Sequence, residues 1–260
     1  MKKGIAMLCA LMMICMFACS GSAVGADKLT MGTSADYPPF EFIVLDASNS
    51  QSYVGIDISV AEAIAADMDK ELSVMNMDFD SLIASLQKGD VDVVLAAMEE
   101  TEERLAAADF SDPYYTDYPA MILVKADQAE NYTSLDSFAN KSVGAQTGTT
   151  KADIVTGQMP GATFVGLTSV NELVNQLVYD KVDAIVLDGA VALQYAQSND
   201  SLAISSVELG EALLYRVAVQ KGDPKGLLPA INATIQKLLE AGSIDTFAET
   251  ADTLADQAIE

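Results

Sequence analysis

Residues 80–97 read DSLIASLQKGDVDVVLAA. Leu82, Ile83 and Leu86 lie on one face of a helix, and residues 91–96 then form an apolar run broken only by Asp92. Gly89 between them suits a helix end, because glycine enters the left-handed region without strain. A short apolar run bounded by turn residues fits a strand buried on both faces, and such strands belong to parallel sheets covered by helices. Toward the N-terminus, residues 28–33 and the alternating residues 72–77 read as strands. Between them Asp57 is placed to cap a helix carrying Val60, Ala61, Ile64, Ala65 and Met68. The order β-α-β-α-β predicts a doubly wound α/β unit.

The second half repeats this plan. Residues 141–146 read as a strand, a helix follows from Gly148, and residues 163–167 form the next strand. Ser169-Val170-Asn171-Glu172 is a capping box opening a helix with Leu173, Val174, Leu177 and Val178, before a buried strand at 182–187. Leu82, Leu86, Val91, Asp92 and Val94 stand 91 residues before Leu173, Leu177, Val182, Asp183 and Ile185. Two similar lobes are therefore expected. Residues 212–219 read as a further strand, 223–226 as a turn, and 227–239 as a helix, with a last helix beyond Ser243. If the late strand rejoins the first lobe, the chain crosses between lobes twice, near 117–121 and 211–214, and a two-strand hinge with a cleft results.

Composition excludes several functions. Fourteen Lys and Arg face 38 Asp and Glu, for a net charge of −24, which disfavours nucleic acid and anionic membrane surfaces. The absence of His removes imidazole bases, Ser-His-Asp triads and His-ligated metals. Cys9, Cys15 and Cys19 all fall in the first nineteen residues, leaving no disulfide or Cys-based metal site for the folded part. No metal or cofactor is expected. Lys2-Lys3 followed by an apolar stretch at 4–18 reads as a secretory signal, too short to span a bilayer comfortably. Met16-Phe17-Ala18-Cys19 resembles the bacterial lipobox, in which the Cys is lipidated and becomes the first mature residue. The expected organisation is a signal peptide at 1–18, a lipid-anchored tether at 19–27, one lobe from 28–117 with 213–260, and a second from 118–212. The protein would lie outside the cytoplasm, as a monomer touching the membrane only through its lipid.

Ligands of open parallel sheets bind beyond the C-terminal ends of the strands. Ser34 to Phe40, Ala96 to Arg104, Thr147 to Thr150, and Asp188 fall there. Gly148-Thr149-Thr150 opens a helix whose free N–H groups suit an anion, or is a plain Thr cap. Arg104 is either a solvated partner of the surrounding Glu residues or a bidentate grip on a carboxylate. Asp188 either caps the next helix or faces an ammonium. Tyr37 and Phe79 are core aromatics or the two walls of a slot. Taken together, the functional alternatives describe a site for a free α-amino acid.

At these residues the chain resembles the polar amino-acid family of ABC-transporter solute-binding proteins. The resemblance rests on residues 32–42, 54–58, 79–89, 98–104, 109–115, 143–150 and 182–188, which run in family order over nearly the whole mature chain. It implies the two-lobed periplasmic-binding-protein-like II fold, closure around a polar or basic amino acid, and delivery to an ABC-transporter permease. It further implies that Arg104, the backbone of Glu99 and Thr150, and the hydroxyls of Thr149 and Thr150 hold the ligand carboxylate. Asp188 and the carbonyl of Ala97 would hold the ammonium, with Tyr37 and Phe79 flanking the side chain, Met98 within the same loop, and Ser34 and Lys151 setting specificity. Glu99 stands where the family usually has Ser or Thr, which tilts the expectation toward a basic or zwitterionic ligand. A dehydratase of cyclic acids on the same fold and a ligand-sensing receptor domain are the alternative readings.

Overall fold

Strand β1 (Lys28–Thr33) opens the chain and is followed by β2 (Asp36–Tyr37), β3 (Glu41–Leu45) and β4 (Gln51–Val54), which pair as a small antiparallel sheet. This computed structural model describes residues 27–45 and 48–259, so the expected signal peptide, Cys19 and nearly all of the tether lie outside the described residues. Helix α1 (Ile56–Asp67) leads to β5 (Glu71–Asn76). Helix α2 (Leu82–Lys88), entered through a 3-10 turn at Phe79–Ser81, leads to β6 (Val93–Val94), α3 (Glu102–Ala107) and β7 (Ala108–Asp117). Then come β8 (Met121–Lys125), β9 (Ser142–Gln146), α4 (Thr150–Gln158), β10 (Thr163–Leu167), α5 (Val170–Val178), β11 (Ala184–Leu187), α6 (Gly189–Ser198) and β12 (Leu202–Ile204). The chain finishes with β13 (Leu213–Gln220), α7 (Leu228–Glu240) and α8 (Ser243–Ile259).

Two five-stranded sheets share one plan. The first runs β5-β1-β6-β13-β7 and the second β10-β9-β11-β8-β12. In each, three parallel strands are followed by a strand antiparallel to its neighbours, β13 in the first and β8 in the second. β13 thus returns to the first sheet, with Leu213 opposite Asp117, where the chain leaves for the second. Helices cover both, giving the two-lobed, doubly wound α/β architecture. None of the helices among the described residues is long and apolar enough to cross a membrane.

The 91-residue repeat has a physical cause. Asp92 Oδ2 accepts from Thr30 N at 2.7 Å, and Asp183 Oδ2 accepts from Ser142 N at 2.8 Å. In each lobe the carboxylate breaking the apolar run satisfies a backbone donor of the first parallel strand, which would otherwise lack a partner. The strand expected at 91–96 is observed as Val93–Val94. Leu82, Leu86 and Val91 pack in one fully buried cluster, and their counterparts Leu173, Leu177 and Val182 are equally buried.

One local expectation is corrected. Asp57 does not cap α1; Gly55 stands at the cap position with φ of 128°, and Asp57 is buried in the first turn. Its carboxylate accepts from Ala97 N at 2.8 Å and from the Tyr114 hydroxyl at 2.7 Å. It therefore fixes the chain where it leaves β6 toward the cleft.

Candidate functional site

The ends of β1, β6, β9 and β11 converge where the two sheets face each other. After β1, Ser34 is buried, and Tyr37 on β2 turns its hydroxyl toward the other sheet, accepting from Asp188 N at 3.1 Å. After β6, Ala97 takes a positive φ of 43°, held by Asp57, and the chain continues through Met98 and Glu99 into α3. Thr101 caps α3 by accepting from Arg104 N at 3.1 Å, which places the Arg104 side chain beside the loop before it. From the second sheet, Thr149 caps α4, donating its hydroxyl to Gln146 O at 2.7 Å, and presents Thr150 and Lys151. Asp188 ends β11 at the cap position of α6, but its side chain makes no capping bond, so its carboxylate is available to the cleft.

Four charged side chains meet there, each less than one-tenth exposed. Arg104 Nη1 donates to Glu99 O at 2.8 Å and to Glu99 Oε2 at 3.3 Å, while Nη2 donates to Gly148 O at 3.1 Å across the cleft. Glu99 Oε1 accepts from Thr150 Oγ1 at 2.8 Å and from Lys151 Nζ at 3.0 Å. Lys151 Nζ also lies 2.6 Å from Asp188 Oδ1, an ion pair without hydrogen-bond geometry. Burial opposes ionisation of Glu99, but the charges of Lys151 and Arg104 prevail and hold its carboxyl at about 2. Burial likewise works against the Lys151 ammonium, and Asp188 and Glu99 outweigh it, so its pKa is raised. Asp188 is pushed up by burial, with Lys151 only partly offsetting the shift.

A narrow slot of about 10 Å³, room for roughly one water, is lined by Tyr37, Phe79 and Gln146 together with Lys151 and Asp188 of this quartet. Glu41, which the sequence reading did not single out, lines it too. It is 1% exposed, and its Oε2 has no partner. Burial, with Asp57 beside it, pushes its carboxyl well above the ordinary range. A signal was available: Pro39-Phe40-Glu41-Phe42 sets one carboxylate in an otherwise apolar run. On the outer side a cavity of about 260 Å³ is walled by Phe79, Met98, Arg104 and Thr150. Arg104 Cζ lies 5.2 Å above the Phe79 ring, a cation–π contact.

Tyr37, Phe79, Ala97, Thr149, Lys151 and Asp188 line the inner slot, Phe79, Arg104, Thr149 and Thr150 line the outer cavity, and Glu99 links the two sets through its bonds to Arg104, Thr150 and Lys151. Met98 joins only the outer cavity, its carbonyl accepting from Arg216 N at 3.0 Å, and Ser34 lines neither space. Among the described residues no cluster of acidic groups is arranged to hold a metal ion.

The profile of the bacterial extracellular solute-binding proteins, family 3, matches residues 29–250. The arginine-binding extracellular protein ArtP of Bacillus subtilis is 37% identical over 205 residues, covering 76% of this chain and 77% of the relative. A putative ABC transporter arginine-binding protein of Escherichia coli is 32% identical over 229 residues, covering 86% of this chain and 90% of its own. An amino acid ABC transporter substrate-binding protein from Streptococcus pneumoniae, solved bound to L-arginine, superposes with a TM-score of 0.83 at 33% identity, covering 88% of this chain and 95% of that one.

Proposed function

The chain belongs to the bacterial extracellular solute-binding proteins of family 3, and from that membership we propose that it binds a free basic amino acid, arginine first, by closure of the cleft and passes it to an ABC-transporter permease. The observation that carries the side-chain preference is Glu41, a buried carboxylate whose Oε2 has no hydrogen-bond partner and which lines the slot together with Tyr37 and Phe79. A guanidinium or ammonium arriving there gives Glu41 a partner and favours its ionised form. Arg104 and Thr150 would take the ligand carboxylate, and Asp188 its ammonium, from opposite sides of the cleft. Each charge-assisted hydrogen bond in such a water-poor site contributes about 1.5–3 kcal/mol. The moving bodies would be 28–117 with 213–260 and 118–212, hinged at 117–121 and 211–214. The protein makes and breaks no bond in this reading; turnover of prephenate or arogenate by the purified protein would overturn it.

A thermal-shift screen against the twenty amino acids tests the proposal, because a ligand that binds only the folded state raises its melting point. Arginine is expected to give the largest shift. Glu41→Gln should weaken arginine about 10- to 100-fold by calorimetry while leaving a neutral amino acid such as glutamine nearly unchanged. An equal loss for both would remove Glu41 from the side-chain pocket.

The family places the protein outside the cytoplasm, and we read Cys19 as its point of attachment, with residues 20–27 as the tether of a monomer. Cys19→Ala is then expected to release the protein from the cell envelope into the soluble fraction. Retention of that variant with the membrane would exclude the anchor.

A further inference from the structure

The charges expected to receive a ligand are already engaged by the protein's own groups. Glu99 puts a carboxylate on Arg104 and Thr150, at 3.3 and 2.8 Å, and Lys151 puts an ammonium 2.6 Å from Asp188. Two residues close together thereby present the two poles of an α-amino acid to the groups that would grip one, and Glu99 and Lys151 are also 3.0 Å from each other. Both remain charged, since Glu99 is held near 2 and Lys151 is raised.

We propose that Glu99 and Lys151 form a resident counterpart of the ligand, and that binding is an exchange of partners in which the ligand carboxylate takes Arg104 and Thr150 from Glu99, the ligand ammonium takes Asp188 from Lys151, and Glu99 and Lys151 keep each other. The proposal rests on the amino-acid reading of the cleft. Its physical basis is that a buried charge left alone is strongly unfavourable, so an incoming ligand can displace only charges that retain a partner. The contact between Glu99 and Lys151 supplies that partner for both at once. Removing one member alone would strand charge on the other side. The exchange also requires movement, because the narrow slot of about 10 Å³ admits no amino acid while both side chains stand where they do. Tethered competitors act at high effective concentration, so this pair lowers affinity for every amino acid and leaves side-chain contacts such as Glu41 to decide which ligand prevails.

The test is a double-mutant cycle on the full mature chain, with arginine as the probe. Glu99→Ser and Lys151→Gln singly should each lower the melting temperature by roughly 4–10 °C, and the double variant should recover most of that loss. The double variant should bind arginine about tenfold or more tightly than wild type by calorimetry. Arginine bound with unchanged or weaker affinity overturns the exchange and leaves the receptor reading standing. Failure of both folded proteins to bind any of the twenty amino acids removes the receptor reading itself, and the exchange with it. If that double variant does not fold, Glu99→Gln combined with Lys151→Met keeps the shape of both side chains and removes both competing charges. Tighter arginine binding then supports the exchange, and equal or weaker binding overturns it.

Discussion

Asp188→Ala is expected to abolish arginine binding while the protein remains folded. Asp188 is 1% exposed, ends β11, and makes no capping bond to α6, so its carboxylate has no structural duty in that helix. Its partner Lys151 keeps Glu99 at 3.0 Å, so the variant strands no charge and the cleft residues stay in place. An arriving ammonium, however, would meet Lys151 in a buried site with its nearest carboxylate removed. Breaking a buried pair of this kind costs about 3–5 kcal/mol, which corresponds to a loss of roughly 100- to 5,000-fold in affinity. Calorimetry at ligand concentrations well above the wild-type range should therefore register little or no heat, with the far-ultraviolet circular dichroism unchanged. Asp188→Asn, which keeps the shape and removes the charge, should behave nearly as badly. Wild-type affinity in either variant would place the ammonium elsewhere.

Gly55→Ala should produce the largest loss of stability from a single methyl group. At φ of 128° an L side chain is strained, and an ideal Cβ there would lie 2.1 Å from Phe40 O and 2.6 Å from Phe40 C, both backbone atoms. That backbone cannot yield locally. Phe40 O accepts from Asp57 N at 2.9 Å and Pro39 O from Ile56 N at 3.1 Å, and the Phe40 ring makes edge-to-face contacts with Tyr115 and Tyr215. Backbone strain and overpacking together amount to about 3–5 kcal/mol, or a melting temperature lower by roughly 6–20 °C in a domain of this size. Because Phe40 lies between Tyr37 and Glu41 in the chain, arginine affinity should fall as well. A melting temperature within a degree of wild type would show that the loop accommodates the methyl group.

Much of this architecture was legible because it depends on local periodicity. Leu82 and Leu86 before Val91 to Ala96, and Leu173 and Leu177 before Val182 to Leu187, show helix-then-buried-strand in both lobes; the late strand reads at 212–219, but only its pairing with β6 and β7 shows which sheet it joins. Tyr37, Ala97, Glu99, Arg104, Thr149, Thr150 and Asp188 were legible because they fall beyond strand ends, whereas Phe79 does not, and Lys151 was implied only by the family resemblance. What escaped was decided by tertiary partners. Asp57 looks like a cap, yet the positive φ of Gly55 moves the helix start back and turns that carboxylate inward to Ala97 and Tyr114. The three-stranded sheet of β2, β3 and β4 was hidden because β2 has only two residues. Glu41 was passed over because a charged residue among aromatics gives no indication of which face it takes. The meeting of Glu99 with Thr150 and Lys151 joins positions about fifty residues apart on different lobes, which no local periodicity links.

The pairing of β13 with β6 and β7 also sets a timetable. All five strands of the second sheet lie between Met121 and Ile204, so that sheet can be completed as soon as this stretch has been synthesised. The other sheet cannot. Its fourth place, between β6 and β7, is filled by β13, which aligns Ala218 with Val94 and with Phe110, so β6 and β7 wait with open edges until nearly the whole polypeptide exists. Exposed edges of that kind recruit other chains, and late long-range closure is slow. A chain cut short before β13 is therefore expected to carry one complete sheet and one with two unpaired edges.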